Sequence, residues 1–220
     1  MLSAIEQRVP VLECFVGIDA SAAVRAAADA CAAAGIPVKG VDVKVGDTVT
    51  PQAVFAVASF ERRGIEALTP ADLVVVGVEI SDPGNAGTLI RSAAAAGAGV
   101  VVLGAGSVDA YNPKVVRASA GACFAVSIVE GVPAVQILGA LEQAGVRRLG
   151  ATAHGGTPPE QFDLRRPTAF VLGHETHGLD HSLPLDGRVT VPMAAGESLN
   201  VAMAATALLF EAARQRRGGP

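Results

Sequence analysis

The sequence has 220 residues, half of them hydrophobic but only 4% aromatic and none tryptophan, with a formal charge of −4. That length allows one α/β domain of ordinary size plus a smaller companion, with a core packed from alanine and valine. The charge argues against a protein that coats nucleic acid over its whole surface, which needs many lysine and arginine contacts to phosphate, and flat aromatic platforms for stacking bases are scarce.

In chain order, Val11 to Gly17 reads as a strand, Ser21 to Ala34 as a helix ended by Gly35 and Pro37, and Val54 to Phe60 as another strand. This incomplete α/β unit, residues 1 to about 65, is small for an independent core and is expected to lean on the larger domain or another chain. Arg63 to Pro70 reads as the linker. Beyond it, short Val/Leu-rich runs alternate with alanine-rich stretches: strands near Leu73 to Val78, Val100 to Leu103, Ala125 to Ile128, Arg148 to Ala151, Thr168 to Leu172 and Arg188 to Val191. Helices are expected over Gly87 to Ala96, Pro113 to Ser119, Pro133 to Ala144 and Leu199 to Arg214. Alternation of this kind, with strands apolar on both faces, predicts an α/β fold whose mostly parallel sheet is covered by helices on both faces.

Cys14, Cys31 and Cys123 are odd in number and lack a paired short spacing, so neither a disulfide framework nor a zinc ribbon is indicated and a reducing cytoplasm fits. No apolar run approaches the ~20 residues that span a bilayer, so no membrane partner is expected. Basic residues occur locally as Arg62-Arg63, Lys114 with Arg117, Arg147-Arg148, Arg165-Arg166 and Arg214 to Arg217, each read as a solvated face.

Three segments share one construction, a hydrophobic strand running into glycine with polar residues at the turn: Asp82 to Arg91, Leu172 to Leu179 and Pro192 to Val201. In the first, Asn85 reads as a helix cap, Gly87 permits close backbone approach, and Arg91 lies one turn on, within reach of a phosphate or ribose oxygen. In the second, Glu175 follows a glycine at a strand end. In the third, Ser198 reads as the cap of the last helix, and Asn200 is an amide at the start of an otherwise apolar helix. His174, Glu175 and His177, joined by His181 or His154, suggest a metal, but His-Glu-x-His is one residue short of the helical zinc pattern, so no metal is assigned. A dinucleotide-binding glycine pattern, a phosphate-loop lysine and a nucleophile elbow are all missing from the sequence.

Taken together, these segments resemble the three motifs of the SpoU/TrmH ribose methyltransferases in the SPOUT superfamily. Asn85, Gly87 and Arg91 match the first motif, Gly173, Glu175, Gly178 and Leu179 the second, and Pro192, Met193, Ser198, Leu199 and Asn200 the third. The resemblance implies a knotted methyltransferase domain over 66–220 with a trefoil knot near its carboxyl terminus, a homodimer, and S-adenosylmethionine held by Thr152, Gly173, Val191, Met193, Ser198 and Leu199. It also implies a catalytic Arg91 acting on a ribose 2′-hydroxyl, positioned by Asn85, Glu175, Ser198 and Asn200. Because a guanidinium stays protonated at ordinary pH, orienting the hydroxyl and screening the phosphate suit Arg91 better than a base role. His174 stands where many relatives carry asparagine and is given no role. Residues 1–65 resemble only the later part of the ribosomal-protein-like RNA-binding domain of many relatives, so its opening helix and strand are not expected in this sequence.

The expectation is methyl transfer to a ribose 2′-hydroxyl of structured RNA, with 23S ribosomal RNA preferred over transfer RNA. The competing reading is a noncatalytic RNA-binding or ribosome-assembly protein that keeps the knotted fold.

Overall fold

The computed structural model describes residues 2–18, 20–42, 53–60, 62–68 and 71–218, and the chain divides into two compact units, Met1–Glu61 and Arg62–Pro220. Thr69 and Pro70, at the end of the expected linker, lie outside the described residues.

The first unit contains α1 (Leu2–Glu6), β1 (Val11–Gly17), α2 (Ala22–Ala33), β2 (Val38–Val41) and β3 (Val54–Ala58). β1 is central, parallel to β2 and antiparallel to β3. Ser21 caps α2 by accepting the Val24 amide at 3.4 Å, and α2 closes a small core of Cys14, Ala28 and Cys31. Elements α1 and β2 were not expected, because five and four residues are too short for periodicity to register.

The second unit is built on a six-stranded sheet of order β6-β5-β4-β8-β7-β9. Its strands are β4 (Leu73–Gly77), β5 (Val100–Leu103), β6 (Ser127–Glu130), β7 (Arg147–Ala151), β8 (Thr168–Leu172) and β9 (Gly187–Val189). All the pairings are parallel. Because side chains alternate along a strand, Val75, Val101 and Phe170 face one core with Leu89, Ile90 and Leu208. Val74, Val76 and Val102 face another with Ile137, Leu138 and Leu141. The first core is covered by α3 (Pro83–Ala96), α4 (Pro113–Ala118) and α6 (Val201–Arg217), and the second by α5 (Ala134–Gln143). The sheet therefore carries helices on both faces, as the doubly apolar strands predict.

Several boundaries differ from expectation for identifiable reasons. α3 begins at Pro83 rather than Gly87, because Asp82 caps it by accepting the Asn85 amide at 2.7 Å and proline suits the first turn. The close approach at Gly87 is to α4: a Cβ there would lie 2.8 Å from the Val115 carbonyl oxygen. β6 starts two residues late because Ala122–Phe124 form a 3-10 turn after Gly121 at φ 88°. β9 ends at Val189, after which Thr190 turns to the Gly156-Thr157 segment.

The Arg147-Arg148 pair departs most from its expected solvated setting. Arg148 is 5% exposed. Its backbone N and Nε donate to Asp186 Oδ2 at 2.7 and 2.9 Å, and Nη2 donates to Asp186 Oδ1 at 2.7 Å and Glu142 Oε1 at 3.1 Å. The Arg148 hydrogen bond holds the Asp186 carboxyl below the usual range. This pairing ties the residue before β9 to β7 and so fixes the sheet edge.

Candidate functional site

The three polar turns follow β4, β8 and β9, at the carboxyl ends of parallel strands, where α/β sheets bind ligands. Glu175 is their meeting point. It accepts from Asn85 Nδ2 at 3.1 Å, from the Asp82 amide at 3.2 Å and from the Ser81 hydroxyl at 3.3 Å. Asn200 Nδ2 in turn donates to Asn85 Oδ1 at 2.9 Å. Partial burial works to raise the Glu175 carboxyl, but the hydrogen bonds from Asn85 and the neighbouring backbone outweigh it and hold the group below its ordinary value. It is an ionised acceptor at neutral pH.

Two capping assignments are corrected by this network. Asp82 caps α3, which leaves the Asn85 side chain free to bridge Glu175 and Asn200. Asn200, not Ser198, caps α6, its Oδ1 accepting from the Ala202 and Met203 amides at 2.9 and 3.3 Å. Fixed through its oxygen, Asn200 has its amide group aimed at Asn85.

The turn after β8 is held by its glycines. A Cβ on Gly173 would run into the Gly178 carbonyl and stand 2.5 Å from the Leu179 amide. Gly178 adopts φ 70° and returns its N–H to the His174 oxygen at 2.9 Å. Beside this turn lies a cavity of about 350 Å³, within the range of roughly 300–1,000 Å³ for small-molecule sites. Thr152, Gly173, Val191, Met193, Ser198 and Leu199 all line it, as does Glu175. Asn85 and Asn200 join it only through Glu175, and Arg91 does not line it. Arg91 sits exposed on α3, and no hydrogen bond or ion pair connects it to the network among the described residues.

Sequence reasoning did not assign the apolar walls, Leu172, Val189 and Leu208, or Arg188, and weighed His181 only as a metal ligand. Strand ends carried the signal for the first two, since residues closing a parallel strand face the ligand crevice. The His174 and His177 rings stack with centroids 4.3 Å apart, and His174 Nδ1 accepts the Thr176 amide at 3.0 Å, a use that turns this nitrogen inward. Among the described residues no group of three or more His, Cys, Asp or Glu is placed to hold a metal ion.

Residues 72–210 match the family model described as SpoU rRNA Methylase family. The chain is 36% identical over 170 residues to the 23S rRNA (guanosine(2553)-2′-O)-methyltransferase RlmP of Bacillus subtilis, covering 76% of this chain and 66% of that one. It is 38% identical over 147 residues to the 23S rRNA (uridine(2479)-2′-O)-methyltransferase of Streptomyces viridochromogenes, covering 63% of this chain and 51% of that one. The chain thus spans about half to two thirds of the length of these relatives. The crystal structure of the SpoU methyltransferase AviRb from Streptomyces viridochromogenes in complex with AdoMet superposes with a TM-score of 0.83 at 29% identity, covering 99% of this chain and 88% of that one.

Proposed function

The chain belongs to the SpoU rRNA methylase family, and from that membership we propose that it transfers a methyl group from S-adenosylmethionine to a ribose 2′-hydroxyl of 23S ribosomal RNA. The observation that carries this reading is the hydrogen-bonded chain Glu175–Asn85–Asn200, which joins the three turns beside one cavity.

The residues present fit the cofactor. Leu172, Val189 and Leu208 offer an apolar wall, and Gly173, packed against Gly178 and Leu179, lines the cavity without a side chain. Thr152, Gly173, Val191, Met193, Ser198 and Leu199 would hold it, and when bound it supplies an electrophilic methyl group on a sulfonium. The ionised Glu175 carboxylate fixes the Asn85 amide, and Asn85 with Asn200 presents a rigid polar edge to the ribose. Such preorganised dipoles do not need to reorganise as charge develops. Arg91 reaches the substrate from α3, orienting the hydroxyl and screening its phosphate; it remains protonated and does not take up the proton.

The same reading includes a trefoil knot and a homodimer. β9 lies at the sheet edge beyond β7, yet α6 packs back against α3, which follows the inner strand β4; we read this return as the knot. Leu199, just before α6, and Met203 and Phe210 on it leave apolar side chains exposed, 40%, 64% and 42% accessible, which suits a second copy. Residues 1–61 serve as an RNA-contacting unit. The protein works in the cytoplasm, a reading that its buried cysteines Cys14, Cys31 and Cys123, none in a disulfide, fit.

Mapping 2′-O-methyl sites in total RNA with and without the gene tests the reading. Loss of one 23S ribosomal site supports it, loss from a transfer RNA changes the substrate, and no loss indicates a noncatalytic assembly protein.

A further inference from the structure

Apart from the histidines, the cavity wall carries two charged side chains, Glu175 and Arg188. Glu175 is fully engaged, as described above. Arg188 is different: among the described residues it forms no ion pair with a carboxylate, although it lines the cavity. Its Nη2 stands 3.3 Å from His181 Nδ1. A guanidinium can only donate, so in this contact His181 Nδ1 is the acceptor. His181 therefore steadies the guanidinium without neutralising it, and a half-buried cation is left lining the pocket with no carboxylate paired to it among the described residues.

The two charges stand on opposite sides of the cavity. Glu175 follows β8 and bonds toward the β4 turn, whereas Arg188 lies on β9, beyond β7. Two strand spacings separate β8 from β9, roughly 10 Å. A ligand bearing cationic centres and one anionic end is polarised by such a cavity, and one turned the wrong way would bring its anion against Glu175.

We infer that Arg188, steadied by His181, holds the carboxylate of the methionine portion of S-adenosylmethionine and so sets the direction in which the cofactor enters. The inference rests on the methyltransferase reading and adds a residue that specifies the cofactor's amino-acid end. Val189 and Val191, on either side of the β9 exit, supply apolar contact, while Arg188 supplies the charge that distinguishes one end of the ligand from the other.

Calorimetry on the full chain with S-adenosylmethionine and with decarboxylated S-adenosylmethionine, which lacks only this carboxylate, tests the inference. Wild type should bind the decarboxylated form roughly 10- to 100-fold more weakly, the range for a hydrogen bond to a charged group. Arg188→Ala should lose the same factor for S-adenosylmethionine and cease to distinguish the two ligands, while Arg188→Lys should restore part of the distinction. Thermal unfolding of each variant serves as the folding control. If Arg188→Ala still discriminates as wild type does, or weakens both ligands equally, the carboxylate is not read by Arg188 and the inference fails. Normal binding of both ligands with a raised KM for RNA would reassign Arg188 to a phosphate and equally overturn it. Failure of wild type to bind either ligand would overturn the methyltransferase reading together with the inference, an outcome distinct from the others.

Discussion

Asn200 donates its side-chain amide to Asn85 Oδ1 at 2.9 Å across a separation of 115 residues, while its own oxygen caps α6. One side chain thus both caps a helix and joins the polar network, and two substitutions separate the two. Asn200→Asp keeps an oxygen for the cap but loses the donor to Asn85, so it should unfold in urea much as wild type does and lose most methyl transfer. Asn200→Ala should lose the same activity and also about 1 kcal/mol of stability. Normal turnover by a folded Asn200→Asp would remove the amide chain from the mechanism.

Glu175 gives this network a pH dependence. Its folded-state carboxyl is held below the ordinary value, so its contribution to stability is fully present above the unfolded value, about 4.3, and is lost as pH falls through the folded value. The melting-temperature gap between wild type and Glu175→Gln should therefore be constant from neutral pH down to about 5 and close below about 4. A gap that persists unchanged at lower pH would show that the charge of Glu175 does not hold the turns together.

The strands of the second unit were legible because β4, β5 and β8 are buried at every position, a pattern that only a doubly covered sheet requires. The caps were harder to read. Asp82 and Asn85 are both good capping residues three positions apart, and only Glu175, 90 residues away from Asn85, determines which one turns outward. Ser198 and Asn200 posed the same ambiguity. Arg148 could not be distinguished from a surface arginine, because its buried setting depends on Asp186, 38 residues later. Local preference was visible in the sequence; the long-range partner that chooses between two local options was not.

That buried pair makes an asymmetric prediction. Removing Asp186 leaves the Arg148 charge in the interior with only Glu142 and the Leu138 carbonyl beside it, so Asp186→Ala should cost about 1–3 kcal/mol, the penalty for a buried polar group that loses its partner. Arg148→Met replaces the cation with an apolar chain and leaves Asp186, whose side chain is 37% exposed, to be solvated. Its cost should be clearly smaller. Urea unfolding of the two variants decides this, and equal losses would mean that the packing at β7, rather than the charge, is what matters.

Arg91 is exposed on α3 and has no partner among the described residues, so removing it should leave the fold within about 0.5 kcal/mol of wild type. Arg91→Ala should nevertheless depress methyl transfer by roughly 10²- to 10⁴-fold with cofactor affinity nearly unchanged. Single-turnover assays beside calorimetry separate the two quantities. Near-normal turnover would leave Arg91 a solvated side chain.

The last prediction concerns the second copy. Met203 and Phe210 lie on α6 at a spacing that brings both to one helical side; with Leu199, just before the helix, they are 64%, 42% and 40% exposed. Scattered surface apolar residues are ordinary, but large ones aligned on one helical side form a patch that water solvates poorly. A symmetric dimer would bury this patch on both partners at once. Met203→Glu combined with Phe210→Glu should therefore yield a folded monomer by light scattering, with helical content unchanged. A shortened chain should remain dimeric, provided that it starts no later than Arg62, whose guanidinium binds Asp109 and Glu130 at 2.7 and 3.4 Å and ties this segment to the second unit. A dimer that survives both glutamates would mean that the interface lies elsewhere, and loss of dimerisation on shortening would assign it to the first unit.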